Sequence, residues 1–278
     1  MISEQEFLDN INKAINDNSI TLPTLPEVAL RIRDAVEKEN SGAREIADMV
    51  ATDQALSARL LQVANSPLYR GRVTIDSIQM AITRLGNKLI RNLITSLAMK
   101  QIFQATSDTM DTQLHATWEQ SVQVAAICRA LSRQVPHLQA EQAMLAGLVH
   151  NIGSLPVLVM AENYPELIED GIKLRNMVDS ISPHIGETIL KTWGFPEGMS
   201  KIPLNCQNLE YDGGPTADYV DLVIIAKLQA LPTDHYLAKA DWSHIPSFTK
   251  IGLEPEIEVI NIDGVAEEVD EVCGMFLG

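Results

Sequence analysis

Aromatic residues are scarce in this chain: Phe, Trp and Tyr together make up 5% of its 278 residues. Its apolar content is instead Leu, Ile, Val, Ala and Met, a palette that favours packed helices over a sandwich of strands. Cysteines are few as well. Cys128, Cys206 and Cys273 lie far apart, are odd in number and form no CxxC. That excludes a disulfide framework or a zinc cluster read from spacing, and fits reduced thiols. Long apolar runs are missing too. "LPVLVMA" at 155–161 is among the longest, well short of the about 18 residues that a membrane span requires. The opening "MISEQEF" carries acids where a secretion signal would carry Lys or Arg. The expectation is a globular, cytoplasmic protein with no membrane association.

Hydrophobic residues reach 46%, enough for a substantial core. The net charge is −16, unevenly distributed. Residues 1–110 hold 12 basic and 13 acidic side chains, whereas residues 111–278 hold 9 and 24. Within the first part, 59–100 carries Arg59, Arg70, Arg72, Arg84, Lys88, Arg91 and Lys100 against one acid, Asp76. Such a stretch is either a set of solvated helix faces or a docking surface for an acidic partner or a nucleotide. We take Arg59, Arg70, Arg72, Arg84, Lys88 and Arg91 as a candidate partner surface.

Helical periodicity dominates. "PEVALRIRDAVEKE" places Val28, Ile32 and Val36 on one stripe, with Pro26 suited to a first turn. Ser41 can cap "AREIADMVA", and Asp53 can cap "QALSARLLQVA". Asp76 or Ser77 opens "IQMAITRLGNKLIRNLITSLAMKQIF", whose apolar positions recur at steps of three and four. "ATWEQSVQVAAICRALSRQV", "AEQAMLAGLVHNIGSLPVLVMA" and "ISPHIGETILKTW" each predict one helix. Residues 104–113, polar and turn-prone, are the best internal boundary. From Glu254 to Glu271 there are eight acids and no Lys or Arg, which reads as an amphipathic last helix or a solvated tail. The expected fold is all-α and two-lobed: an N-terminal helical bundle at 1–110 and a second helical domain at 111–278.

Five stretches of the sequence resemble the HDOD family, the HD-related output domain. "LPTLPEVALRI", "MVATDQALSARLLQVANSPLY" and "IQMAITRLGNKLIRNLI" are similar to its N-terminal half. "AGLVHNIGSLPVL" and "GETILKTWGFPE" are similar to its second half. The resemblance runs from about residue 20 to about 230 and implies a helical, HD-like fold descended from metal-dependent phosphohydrolases. It also implies bacterial signalling, in output or adaptor modules that commonly lack a working metal site.

An HD site needs His and Asp ligands converging on a divalent cation that lowers the pKa of a bound water. Carried over by position, the first ligand histidine falls on Gln120, and the His–Asp pair falls on His150–Asn151. A later histidine falls on Ser182, paired histidines fall near Cys206–Gln207, and the closing aspartate falls on Lys227. Asn151 offers one neutral oxygen in place of a carboxylate. Lys227 replaces an anionic ligand with a positive charge, which repels a metal. His115 and His184 lie near lost positions; His184 is two residues off register, about 200° around a helix. The expectation is therefore no catalytic residue, no metal and no cofactor.

The function this implies is a non-catalytic signal-transduction module that binds another signalling protein, with a small molecule in the vestigial cleft as a further option. The alternative is a phosphohydrolase with a rebuilt metal site. A DNA-binding reading rests on "SGAREIADMVATDQALSARLLQVANS", which reads like a helix-turn-helix. It offers only Arg59, Gln54 and Gln62 for readout, and the −16 charge opposes phosphate binding.

Overall fold

The structure is a computed structural model that describes residues 2–17, 19–37, 42–69, 71–103, 110–232 and 235–277. Among them every regular element is helical, as expected, and there is no strand. The first part contains α1 (Glu4–Asn16), α2 (Glu27–Glu37), α3 (Ala43–Val50), α4 (Gln54–Ala64), α5 (Ile78–Leu85) and α6 (Asn87–Ile102). The second contains α7 (Asp111–Leu131), α8 (Ala140–Val149), α9 (Ser154–Ala161), α10 (Pro165–Glu169) and α11 (Gly171–Thr192). It continues with α12 (Glu197–Ser200), α13 (Ile202–Asn205), α14 (Tyr219–Gln229), α15 (Pro246–Ile251) and α16 (Val265–Leu277).

Caps set several of the starts. The Asp53 carboxylate accepts from Leu56 N at 2.9 Å and opens α4; Ser77 accepts from Met80 N at 3.2 Å and opens α5. Ser41, expected to cap α3, lies outside the described residues, and Gly42 holds the N-cap position without a side-chain bond. The long stretch from 78 divides where periodicity alone showed no break. Gly86 adopts φ 85°, ψ 155°, a conformation open essentially to glycine, and separates α5 from α6. "AEQAMLAGLVHNIGSLPVLVMA" likewise divides, at 150–153, into α8 and α9. Residues 140–161 are long and apolar enough by composition to cross a membrane, but 89% of their most apolar 18-residue window is buried within the fold.

Two long helices, α6 and α7, organise the packing. In α6 the run from Asn92 to Met99 is buried throughout, enclosed by α2, α4 and α5 on one side and α8 on the other. α7 packs against α8, α14 and α16. Both belong to one continuous hydrophobic core. Early segments also dock on late ones: Phe7 of α1 meets the Tyr164 ring at 5.4 Å, and Trp193 Nε1 donates to Pro23 O at 3.0 Å.

The acidic C-terminal segment becomes an α-helix only from Val265, and one of its acids is used inside the fold. Glu268 of α16 is buried and pairs with Arg129 of α7 and with Arg133. Arg129 also meets Glu141 of α8 at 3.3 Å, and its guanidinium lies 5.5 Å over the Tyr69 ring. The Tyr69 hydroxyl reaches Glu141 at 3.4 Å, and burial pushes its pKa up to about 12. Removing one member of a buried ion pair strands the other charge. Glu268→Ala should therefore cost about 3–5 kcal/mol in urea unfolding, whereas exposed Glu267→Ala should fall within about 0.5 kcal/mol of the parent.

Candidate functional site

Small residues bring the site's helices together. On α7, Thr117, Ser121 and Ala125 recur at steps of four, one face of the helix. There α8 approaches so closely that a Cβ on Gly147 would stand 2.3 Å from Ala125 Cα. The turn after α8 presses on α11: a Cβ on Gly153 would lie 2.0 Å from Ser182 O and 2.5 Å from Gly186 N. Gly186 in turn abuts Pro203 of α13, where an added Cβ would lie 2.8 Å from the proline ring. α14 packs against α7, α8 and α13 and brings in Lys227.

His150 sits at the end of α8, buried, with Nδ1 2.7 Å from Gly147 O. A carbonyl can only accept, so Nδ1 carries the proton and Nε2 keeps its lone pair. Burial, and secondly the Lys227 ammonium, lower the His150 pKa to about 3; the Gly147 bond opposes that shift. The imidazole is therefore neutral at ordinary pH. Lys227 Nζ donates to Cys206 O at 3.3 Å and lies 3.7 Å from Cys206 Sγ. Asn151 is held by α7: the Ser121 hydroxyl donates to its Oδ1 at 2.8 Å, and its Nδ2 meets Thr117 O at 3.5 Å.

The structure thus gathers His150, Asn151, Cys206 and Lys227, with the Ser182 backbone against the turn between α8 and α9. Gln120, His184 and Gln207 are exposed, and among the described residues no hydrogen bond or ion pair ties them to this group. His115 is exposed and pairs with Asp111 at 3.3 Å. Among the described residues no three His, Cys, Asp or Glu side chains converge as metal ligands. The Lys227 ammonium beside His150 does not fit a divalent cation.

Two participants were not singled out from the sequence. Ser121 was legible as the residue one turn after Thr117 on the small-residue face. Asp179 lies three residues before Ser182 on α11; its carboxyl pKa is raised by partial burial, against the pull of Lys227 and Arg175. Nothing in its sequence context marks it.

The basic stretch is only partly free for a partner. Arg59 Nη2 donates to Met275 O at 2.6 Å, clasping the end of α16. Arg84 donates to Val73 O, and its guanidinium fills the space a side chain on Gly71 would need. Arg91 Nε meets Asn92 Oδ1 at 3.3 Å. Arg72 and Lys88 are exposed, and Arg70 lies outside the described residues. The helix-turn-helix-like pair packs into the first bundle, with Leu56, Leu60, Val63 and Ala64 of α4 buried.

Comparison with known proteins gives this arrangement its family. The family model of the HDOD domain matches residues 22–208, more than half of the chain. The chain belongs to the HDOD family. A crystal structure from Shewanella amazonensis SB2B named "Putative metal-dependent phosphohydrolase" is 31% identical, with a TM-score of 0.83, and the match covers 98% of this chain and 99% of that one. An HDOD domain protein of Geobacter sulfurreducens shares the fold, with a TM-score of 0.71 at 22% identity over 99% of this chain and 100% of its own. A curated relative, an uncharacterized protein of Treponema pallidum (strain Nichols), is 27% identical over 191 residues, 66% of this chain. The match spans 34% of that relative, about a third of its length.

The depressed His150 pKa carries a stability consequence. The unfolded imidazole titrates near its ordinary 6.5, the folded one near 3, so at intermediate pH only the unfolded chain takes the proton. This contribution to stability is intact above pH 6.5 and declines as pH falls towards 3, by at most about 1.4 kcal/mol per pH unit. Urea midpoints measured above and below the ordinary histidine pKa should fall more for the parent than for His150→Gln, which keeps a donor for Gly147 O but does not titrate. Parallel curves would show that the imidazole is protonated in the fold.

Proposed function

We propose that this chain is a non-catalytic signal-transduction module that acts by binding another protein. The observation that carries this reading is the Lys227 ammonium, which occupies the site's interior and disfavours positive charge on His150. A metal there would meet a fixed cation, one neutral imidazole and a neutral amide at Asn151 where a carboxylate is needed. Residues that disfavour a metal leave a scaffold, and a scaffold in a signalling family works through its surfaces.

A second reading is favoured by the similarity at 31% identity to the Shewanella protein, whose name is that of a metal-dependent phosphohydrolase. On that reading His150 recruits new ligands. The two separate on protein purified without chelator, by elemental analysis together with hydrolysis of bis(p-nitrophenyl) phosphate in added Mn²⁺. We expect no stoichiometric metal and no turnover. Stoichiometric metal with turnover that His150→Ala abolishes would replace our reading with the second.

If the basic face is the docking surface, its exposed members carry the contact. Arg72→Glu combined with Lys88→Glu should abolish co-purification of the partner without lowering the melting temperature. Arg84→Glu should lower the melting temperature by itself, because that guanidinium holds the Val73 carbonyl. Retention of the partner by the first variant would remove the basic face from consideration.

A further inference from the structure

Apart from its α7 wall, a groove of about 600 Å³ is built by residues beyond the region matched by the family model: it lies between α7, α14, the turn at 236–240 and the segment 255–260. Its floor is apolar: Ile127 of α7, Leu228 of α14, Val269 of α16 and the half-buried ring of Trp242. Ile257 and Ile260 stand on one wall and are 39% and 52% exposed. Tyr236, 75% exposed, precedes the opposite wall. Single exposed apolar residues need no explanation, but two lining one apolar groove, with a third exposed beside its wall, do.

The walls are fixed before anything binds. The Gln229 side chain clamps one of them from both directions, donating to Ile257 O at 3.0 Å and accepting from Val259 N at 3.1 Å. On the other, Trp242 donates to Leu237 O at 2.8 Å and stacks on Phe248 at 5.8 Å. A groove held open this way loses little conformational entropy when filled.

Its charge selects the occupant. Asp241, Glu256 and Glu258 line the groove, and no Lys or Arg does. Among the described residues none of the three forms an ion pair with a basic side chain. Asp241 accepts from Ser243 N and Glu258 from Asn261 Nδ2, so their charge stays unneutralised by Lys or Arg. An apolar floor between such carboxylates complements a helix with an aliphatic stripe flanked by lysines or arginines. We propose that this groove docks a cationic amphipathic helical segment of a partner protein. The proposal rests on the protein-binding reading above, and it assigns that binding to an acidic surface distinct from the basic face at 59–100.

The probe is a synthetic amphipathic peptide of about 18 residues with Leu on one face and Lys on the other. A scrambled isomer of equal charge and a Leu/Glu counterpart serve as controls. Binding to the full chain is followed by Trp fluorescence; Trp242 lines the groove, while Trp118 and Trp193 are buried. We expect saturable binding of the Leu/Lys peptide alone, with a signal lost in Trp242→Phe. Ile257→Asp with Ile260→Asp should weaken it by about tenfold or more, and Glu256→Lys with Glu258→Lys comparably. Raising NaCl from about 0.05 M to about 0.5 M should weaken it severalfold. All four substituted side chains are exposed, so unchanged melting temperatures separate lost binding from lost folding. No binding by the folded parent, or equal binding of the scrambled isomer, overturns the proposal. Concentration-dependent dimerisation of the parent that Ile260→Asp abolishes also overturns it, by assigning the groove to a second copy. The metal and turnover assay does not read this groove, so either claim can fail alone.

Discussion

The fold depends on a guanidinium that has left water. Arg129 is buried near the end of α7, where that helix faces the start of α8, and an unpaired charge there would be prohibitively costly. Its partners come from three separate parts of the chain: Glu268 near the end, Glu141 ten residues downstream of the α7 terminus, and the Tyr69 ring beneath it. Satisfying one cation thus fixes where α16, α8 and the segment after α4 must meet. The terminal helix is then secured by two further contacts to its carbonyls, from Arg59 and from Trp118 Nε1 at 3.4 Å to Phe276 O.

The motif that carries the family resemblance is architectural when read in these terms. In "DQALSARLLQVANSPLY", Asp53 caps α4 and Tyr69 supports the buried guanidinium. Asn65 uses both ends of its amide on Ile75, accepting from its N and donating to its O at 2.8 Å each. That residue brackets an irregular stretch which has no ladder or helix to satisfy its backbone. These recognisable letters order the first bundle, through Asp53 and Asn65, and hold it to the second part of the chain, through Arg59 and Tyr69. They are remote in role from the His150 group.

Much of the fold was legible because apolar residues recur at helical spacing, and Asp53 and Ser77 announce two of the starts. The breaks at Gly86 and at 150–153 were not, because periodicity continues through both. What decides them is a backbone angle in one case and the approach of Ser182 and Gly186 to Gly153 in the other. In the site, Lys227 and Asn151 stood out as wrong chemistry for a metal, and the structure places both beside His150. Asp179 was invisible because its neighbourhood is made by α14, almost fifty residues away. The acidic terminal segment was ambiguous for the same reason: its fate depends on Arg129 and Arg133, which no local pattern reveals.

Lys227 gives the cleft beside His150 a charge that is tethered to the chain. A bound metal obeys mass action: it is loaded, lost and swapped according to what the surroundings supply. A lysine ammonium has no dissociation constant from its own chain. The charge inside this cleft is therefore set when the polypeptide is made, indifferent to chelators and to metal scarcity, and altered only by proton exchange or by mutation.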